Sequence, residues 1–366
     1  MSEFTAEASA GPKGDAGPRV DVVIPCYKYG HLLPEAVRSV LAQDGVDVRV
    51  LVIEDASGDG SADVARELAA EHERVEALVH ETNKGHIITF NEGILDWAQA
   101  PYTLLISADD ELTPGALQRA TQVMEDNPGV GFVYGHSVRW VTGDPRPQVR
   151  TGRWKPVVHS SQSWLRRIYS RGSNPVFSPS VVIRTDLQKR VGGYDARMLQ
   201  TSDLHMWLQL ALYSDVGFVS GVDQAWYRVH GANMSQAYYD KDAGLPDLEM
   251  RKLAFDAVLE RGRTVLGDAQ TDDLDQRMRR ALAREAMLRV KRADEKGWEL
   301  GDAARLLANW AAEITGDVTT IPEWRTMRLR RRLGPLGQVV RPPVLSKAGR
   351  RLRQEGRTAR LVRVGT

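Results

Sequence analysis

The stretch LLISADDELTP, residues 104–114, places three acidic residues directly after an apolar run. The apolar run predicts a buried strand, whereas the clustered carboxylates of Asp109, Asp110 and Glu111 repel one another and resist transfer out of water. Two explanations are open from this stretch alone. The acids cap a helix whose first turn contains Pro114, because acids are favoured at helix N-termini, or they hold a cation.

A strand-then-helix pattern surrounds this stretch and occurs four times in the first third of the chain. The predicted strands are VDVVIPCY (20–27), VRVLVIED (48–55), VEALVHE (75–81) and YTLLIS (102–107), and predicted helices follow at 32–43, 61–73, 86–100 and after Pro114. The strands are apolar runs rich in β-branched residues, and the helices repeat apolar residues every three or four positions. This alternation predicts an α/β fold with a mostly parallel sheet flanked by helices.

The pattern changes twice beyond this region. Residues 129–230 mix strands at 129–141, 180–184, 216–220 and 224–230 with helices at 161–169 and 203–213, and 142–158 is predicted to be a polar loop. Residues 246–314 have helical spacing and no cluster of chemical groups. We therefore predict a disordered lead-in at 1–18, an α/β domain at 19–245, a helical C-terminal region at 246–322 and a basic tail at 323–366.

The composition bounds the class of protein. Hydrophobic residues make up 42% of the 366 residues and charged residues 27%, as in ordinary soluble proteins. No apolar run approaches the roughly 20 residues of a membrane span, and residues 1–18 lack the apolar segment of a secretory signal. The single cysteine, Cys26, excludes an internal disulfide and fits a reducing, cytoplasmic compartment.

Polar residues follow the end of each of the four predicted strands. Tyr27 follows the first, Asp55 the second, the segment TNKGH the third and the acidic cluster the fourth. Ligands of open α/β sheets bind at the carboxyl ends of the strands, so a ligand site is expected there. Neither G-x-G-x-x-G after the first strand nor G-x-x-x-x-G-K-[ST] occurs, which argues against a dinucleotide dehydrogenase and a P-loop enzyme.

Seven short motifs occur in order between residues 19 and 235. They are IPCYKYG (24–30), EDASGDGS (54–61), NKGHIITFNEG (83–93), SADDELTP (107–114), GGYD (192–195), TSDLHMW (201–207) and YRVHGANMS (227–235). In this order they resemble the family 2 glycosyltransferases, which implies a Rossmann-like GT-A domain and sugar transfer from a nucleotide-sugar. The sequence departs from the family pattern at four positions, which are Lys28 for Asn, Phe90 for Arg, Ser107 for the first Asp of D-x-D and Ser202 for Glu.

The resemblance implies a set of residues that bind the nucleotide-sugar. These are Pro25, Tyr27, Asp55, Asn83, Lys84, Asp109, His230 and Ser235. Tyr27 is expected to stack near the nucleobase and Asp55 to accept a hydrogen bond from it, roles that suit an aromatic face and a carboxylate. A turn role for Asp55, a solvated position for Lys84 and a structural role for His230 stay open.

The resemblance also implies a divalent metal ion, Mn²⁺ or Mg²⁺, with Asp109, Asp110 and His230 as its predicted ligands. Such an ion neutralises the charge of the departing nucleoside diphosphate. Because Ser107 stands where the family often has an Asp, we expect weak metal binding in the absence of nucleotide.

Asp203 matches the family's general base, which removes a proton from the acceptor hydroxyl in inverting members. Ser202 replaces the Glu that precedes this Asp in the family, so the supporting role of that Glu has no carboxylate to perform it here. The alternative is that Asp203 caps the helix at 203–213, since Asp is a favoured N-cap residue.

The tail differs in charge from the rest of the chain. Residues 325–366 contain thirteen Lys or Arg residues and one acid, whereas the remainder has 36 basic and 47 acidic residues. Apolar residues such as Leu329, Leu333, Leu336 and Val340 are interleaved with the arginines. This pattern favours an anionic membrane surface over nucleic acid, for which the sequence offers no recognition fold, and predicts a cytoplasmic protein peripheral to the inner face of the membrane.

The resulting hypothesis is a metal-dependent, inverting glycosyltransferase that acts on a saccharide or lipid-linked acceptor in glycan, glycoconjugate or cell-envelope synthesis. Two alternatives stay open. One is transfer to a polyprenyl phosphate. The other is a glycosyltransferase-like protein that binds without catalysis, which the four departures keep open. The sequence leaves the donor, the acceptor and the oligomeric state open.

Overall fold

A computed structural model describes residues 17–231, 241–296, 301–332 and 363–366. Its strands form one sheet in the order β3-β2-β1-β4-β8-β6-β9-β5, and β7 pairs with β9. The strands are β1 (Arg19–Cys26), β2 (Asp47–Glu54), β3 (Val75–Val79), β4 (Tyr102–Leu105), β5 (Glu111–Leu112), β6 (Val130–Val141), β7 (Lys155–His159), β8 (Val182–Arg184) and β9 (Asp215–Val229).

The sheet has a parallel half and a mixed half. Strands β1 to β4 pair in parallel, as the strand–helix alternation predicts. Beyond β4, the pairs β4–β8, β6–β8, β5–β9 and β7–β9 are antiparallel, and β6–β9 is parallel. The predicted α/β sheet flanked by helices is confirmed, and most of the predicted nucleotide-binding residues follow strands of its parallel half, whereas His230 follows β9 in the mixed half.

Helices cover both faces of the sheet. They are α1 (Leu33–Leu41), α2 (Ser61–Glu71), α3 (His86–Asn91), α4 (Ala116–Asp126), α5 (Ser161–Arg171), α6 (Thr185–Val191), α7 (Ser202–Tyr213), α8 (Leu245–Leu266), α9 (Asp268–Lys296), α10 (Gly301–Thr315) and α11 (Pro322–Arg332). Alternate residues of β1 point to opposite faces of the sheet. Val22 and Ile24 pack with apolar residues of α1, α2 and α4, whereas Val23 packs with apolar residues of α3, α5 and α7. Burial on both faces explains the nearly continuous apolar strands.

Several elements differ from the sequence expectations. The predicted strands at 216–220 and 224–230 are one strand, β9, with Gly221 at a positive φ of 97° between them. The predicted loop at 142–158 overlaps β7, in which Lys155, Pro156 and Val158 are exposed, so this strand lacks an apolar pattern. The predicted helix at 86–100 changes after α3 into a π-helical segment, Glu92–Trp97.

The C-terminal helices share their apolar core with α5 and α7. On α8, Phe255 is fully buried, and its ring centroid lies 4.7 Å from that of Tyr169 on α5. The Tyr169 hydroxyl donates a hydrogen bond to the Phe255 carbonyl at 3.2 Å. Within the described ranges, no helix is both long and apolar enough to cross a membrane.

Residues 363–366 lie against β6, β7 and β9. The Tyr134 hydroxyl donates a hydrogen bond to the Gly365 carbonyl at 2.8 Å, His159 Nε2 lies 2.8 Å from the Val364 carbonyl, and Ser220 donates to the Arg363 carbonyl at 2.9 Å. The intervening part of the predicted basic tail, 333–362, and its residues Leu333, Leu336 and Val340 lie outside the described residues, as do 1–16 of the predicted lead-in.

Candidate active site

The carboxyl ends of β1 and β2 form the first part of the site. Pro25 belongs to β1, and Tyr27 follows it with 44% of its surface exposed, so its ring is accessible for stacking. The adjacent Lys28 has a positive φ of 65°, which is strained for a residue with a side chain, and its backbone N–H donates to Ser57 Oγ at 2.8 Å. Its ammonium lies 5.0 Å from the Tyr27 ring centroid.

Asp55 organises the loop that follows β3. One carboxylate oxygen, Oδ1, accepts from the Lys84 backbone N–H at 2.8 Å, and Oδ2 accepts from the Gly85 N–H at 2.9 Å. Asn83 donates from its side chain to the Asp55 carbonyl at 3.0 Å. The structure therefore brings together three predicted donor-binding residues, although the loop bonds also give Asp55 the turn role that the sequence left open.

His80 completes this cluster and was not predicted from the sequence. Its Nδ1 lies 2.7 Å from Asp55 Oδ1, and its Nε2 lies 2.8 Å from Glu92 Oε2, where the π-helical segment begins. Burial by itself would raise the pKa of Asp55, but hydrogen bonds from His80, Lys84 and Gly85 outweigh it and hold that pKa below its usual value. The Lys84 ammonium lies 3.2 Å from Glu92 Oε2.

The predicted metal ligands Asp109 and His230 meet although they are far apart in the sequence. His230 Nε2 lies 2.9 Å from Asp109 Oδ2, and the His230 ring centroid lies 5.2 Å from that of Tyr29. Asp109 sits just beyond β4 and His230 directly after β9, so the pairing depends on the sheet. The other predicted ligand, Asp110, has its Oδ1 2.9 Å from the backbone N–H of Arg228, which donates to it.

The helix-cap explanation of the acidic stretch is wrong. Helix α4 begins at Ala116 with Gly115 as its N-cap, so Pro114 precedes the helix. Glu111 instead belongs to β5, and its carboxylate pairs with Arg146 and, at 3.1 Å, with Arg228. The acids are thus compensated by cationic groups from distant segments, which the local sequence does not reveal.

The donor set suits a divalent cation only in part. Burial, followed by the neighbouring Asp109 carboxylate, raises the pKa of Asp110 well above its usual value. Among the residues that the structure describes, no group of three or more His, Cys, Asp or Glu side chains is arranged to hold a metal ion. Asp109 and His230 offer one oxygen and one nitrogen ligand, and the remaining positions would have to be filled by a diphosphate and water.

Asp203 lies on the other side of the site. It is the second residue of α7, whose N-cap is Thr201, so it does not occupy the N-cap position that the alternative requires. The Ser178 hydroxyl donates a hydrogen bond to Asp203 Oδ2. Burial raises the pKa of Asp203, while the bond from Ser178 and the charge of His86 act in the opposite direction. A carboxyl with a raised pKa is a better proton acceptor, as a general base requires.

Comparisons with known proteins identify the family of part of the chain. Residues 21–180 match the sequence model of the family described as Glycosyl transferase family 2. This segment, residues 21–180, belongs to the family 2 glycosyltransferases. The predicted family and the predicted enzyme class are therefore confirmed.

A curated relative with a named activity is the GalNAc(5)-diNAcBac-PP-undecaprenol β-1,3-glucosyltransferase of Campylobacter jejuni. It is 30% identical over 120 residues, which cover 32% of this glycosyltransferase and 38% of the relative. The matches to the first three curated relatives cover between 38% and 66% of the lengths of those proteins. The activity of the whole chain is therefore left to the proposal below.

Two solved structures share the fold. S. aureus TarS 1–349 in complex with UDP-GlcNAc has a TM-score of 0.58 at 16% identity and covers 86% of this chain and 92% of its own. The mannosyltransferase PcManGT from Pyrobaculum calidifontis in complex with GDP-Man and Mn²⁺ has a TM-score of 0.50 at 19% identity and covers 88% of this chain and 86% of its own. These likenesses confirm the GT-A fold.

Tyr227 links the two sides of the glycosyltransferase site. Burial, followed by the carboxylates of Asp110, Asp109 and Asp203, raises its pKa to about 12. Its ring centroid lies 5.1 Å from that of Phe177. The residue belongs to the YRVH motif, but no local pattern distinguishes it from the other residues of the motif.

Not all predicted residues are described. Ser235 lies outside the described residues, so its predicted role in donor binding stays a prediction. Phe90, which stands where many relatives have an Arg, packs edge-on against Tyr194 with their ring centroids 5.4 Å apart. Arg228 could take the place of the Arg that those relatives have, and its guanidinium forms ion pairs with Glu35, at 2.8 Å, and with Glu111.

Proposed function

We propose that the chain transfers a sugar from a nucleotide-sugar to a saccharide or lipid-linked acceptor, with inversion at the anomeric carbon and with help from a divalent metal ion. The main supporting observation is that Asp109, which meets His230, and Asp203 both act on the pKa of Tyr227, beside the carboxyl ends of the parallel strands. Asp109 follows β4, His230 follows β9 and Asp203 belongs to α7; the first two would face the diphosphate, and Asp203 would act as the base.

The donor nucleotide binds over the ends of β1 and β2. The nucleobase stacks on the exposed Tyr27 ring, and Asp55 accepts a hydrogen bond from a base N–H. Asn83 and Lys84 hold the loop beside it through their bonds to Asp55. UDP-GlcNAc and GDP-Man, the ligands of the two structural neighbours, both carry a base with an N–H donor.

The diphosphate lies beside Asp109 and His230. A divalent ion bound there would neutralise the charge that develops on the departing nucleoside diphosphate. Asp109 would provide a carboxylate ligand, and the His230 ring, 2.9 Å away, would provide the second protein ligand or a hydrogen bond to a phosphate oxygen. The Mn²⁺ in the mannosyltransferase neighbour supports this choice of cofactor.

Asp203 acts as the base. The acceptor hydroxyl oxygen attacks the anomeric carbon as the bond from that carbon to the diphosphate oxygen breaks, and the hydroxyl proton passes to the Asp203 carboxylate. Attack from the face opposite the leaving group inverts the configuration. Ser178 orients the carboxylate through its hydrogen bond to Oδ2, which leaves Oδ1 to face the acceptor.

The acceptor and the location are proposed from the basic tail. Thirteen basic residues in 325–366 suit the anionic inner face of a membrane, at about 1 kcal/mol for each basic residue near the surface. The Campylobacter relative acts, by its name, on a diphosphate-linked undecaprenol, which supports a lipid-linked acceptor in glycan or cell-envelope synthesis. Cosedimentation with anionic vesicles should be lost when 325–366 are removed; binding that persists would mean the contact lies elsewhere.

The donor proposal is tested by thermal shift with UDP and GDP, each with and without Mn²⁺. A ligand that binds the folded state stabilises it by mass action, by about 2.7 kcal/mol when the ligand concentration is 100 times its Kd. The melting temperature rises as a result. We expect a shift with at least one nucleotide that is larger when Mn²⁺ is present. If neither nucleotide shifts the melting temperature at millimolar concentration, the donor proposal is wrong.

A further inference from the structure

We propose that His80 is a positioning residue for donor recognition, which fixes the Asp55 carboxylate in the orientation that accepts a nucleobase N–H. This inference rests on the proposed function, because it assigns a role within the same donor site. Sequence motifs of the family do not include His80, which lies one residue beyond β3.

The His80 ring is held from both sides. Its side chain is only 2% exposed, and its two nitrogens lie 2.7 Å and 2.8 Å from carboxylate oxygens of Asp55 and Glu92. Ionised carboxylates only accept hydrogen bonds, so this arrangement is satisfied when both ring nitrogens donate. The ring is therefore a rigid bridge between the end of β2 and the start of the π-helical segment.

The contacts at Asp55 leave one defined place for a ligand. Oδ1 accepts two bonds, from His80 and from the Lys84 backbone, and Oδ2 accepts one, from the Gly85 backbone. An ionised carboxylate has about four acceptor positions on its two oxygens. Oδ2 therefore retains acceptor capacity, and its direction is set by the three bonds that fix the carboxylate plane.

The other end of the bridge ties the donor loop to a helix. Glu92 Oε2 contacts His80 Nε2 and lies 3.2 Å from the Lys84 ammonium. The π-helical geometry that begins at Glu92 often marks functional positions. The preceding residue, Asn91, bonds both the N–H and the carbonyl of Tyr194 in the GGYD turn, at 2.7 Å and 2.8 Å. His80 thus connects Asp55 to a helix that is fixed independently.

The proposal has a consequence for base selectivity. Uracil presents an N–H at position 3, whereas cytosine presents an acceptor at the same place, which an ionised carboxylate repels. A fixed Asp55 therefore favours UDP over CDP, and GDP, whose guanine has a donor at N1, over ADP, whose adenine has an acceptor there. If His80 sets the direction of the carboxylate, its loss reduces this preference. A residue that only filled the core would reduce stability and leave the preference unchanged.

The test is isothermal titration of UDP and CDP, in Mn²⁺, to the full chain and to three variants. His80→Ala removes both bonds, whereas His80→Asn keeps a donor near the Nδ1 position. His136→Ala is the matched control, because it removes another His–Asp contact, Nδ1 to Asp223 Oδ1 at 2.9 Å, on β6. Melting temperatures are measured in parallel so that all titrations are made on folded protein.

We expect His80→Ala to weaken UDP binding about tenfold or more, which is the effect of losing a hydrogen bond to a charged group. The ratio of the UDP affinity to the CDP affinity should also fall. His80→Asn should recover part of both, and His136→Ala should change neither. Unchanged UDP affinity in His80→Ala, or an unchanged ratio, would overturn the role of His80. Should His80→Ala not fold, the same readings on His80→Asn and Glu92→Gln decide. If the wild type binds neither UDP nor GDP, the donor proposal itself fails.

Discussion

Replacing Asp203 by Asn should remove catalysis and spare the fold. A general base contributes about 10²–10⁴-fold to the rate, or about 2.7–5.5 kcal/mol of the activation barrier at 1.36 kcal/mol for each factor of ten. The amide keeps the size of the side chain, and its oxygen can still accept the Ser178 hydrogen bond. That bond becomes weaker by about 1 kcal/mol when its acceptor is neutral.

The stability of the Asn variant should therefore change little. The weaker bond is opposed by a gain, because the raised pKa of Asp203 means that its site disfavours the charged form. Donor affinity should also be retained, since Asp203 lies across the site from Asp55 and its role concerns the acceptor hydroxyl.

The assay measures turnover at saturating donor and acceptor, the Kd for the nucleoside diphosphate and the melting temperature. Asp186→Asn is a suitable control, because Asp186 is the exposed second residue of α6, just as Asp203 is the second residue of α7. The control should retain wild-type turnover. A lower melting temperature with wild-type turnover in Asp203→Asn would show that Asp203 is a helix-terminal residue, and the assignment of the base would be refuted.

Three further substitutions test the roles of Ser178, Asp109 and the segment 363–366. Ser178→Ala removes a bond that lowers the pKa of Asp203, so the acid limb of the pH–rate profile should move to higher pH; an unmoved limb would show that the Ser178 hydroxyl does not act on the base. Asp109→Asn should abolish Mn²⁺-stimulated turnover with the fold intact, and a near-normal rate with Mn²⁺ would remove Asp109 from the metal site. Gly365→Val should release residues 363–366, because a Cβ there would lie 2.8 Å from the Tyr134 hydroxyl at a φ of +78°, and hydrogen exchange that stays slow in this segment would contradict the docking.

The parallel half of the sheet could be predicted because its signals are local. Each strand from β1 to β4 is a short apolar run followed by a helix with three- and four-residue spacing, and both patterns arise from burial on known faces. The polar residues at the strand ends could be placed at one edge for the same reason, since parallel strands align their carboxyl ends. Tyr27, Asp55 and Asp109 were found in this way.

Contacts between distant segments could not be predicted. His80 and Asp55 are 25 residues apart, as are Ser178 and Asp203, and nothing in their local sequence indicates that they meet. The acidic stretch shows the same limit: the local sequence fits both a cap of α4 and a packed cluster, and they are distinguished by the start of α4 at Ala116 and by the ion pairs of Glu111 with Arg146 and Arg228. Strand β5, two residues long, exists because of its pairing with β9.

Inverting sugar transfer determines the anomeric configuration of the released sugar. Water can replace the acceptor, so α-linked UDP- and GDP-sugars are incubated with the full chain and Mn²⁺, and the released sugar is followed by proton NMR before it mutarotates. We expect the β-anomer to appear first and Asp203→Asn to abolish its release. Initial release of the α-anomer, or release that persists unchanged in Asp203→Asn, would refute inversion with Asp203 as the base.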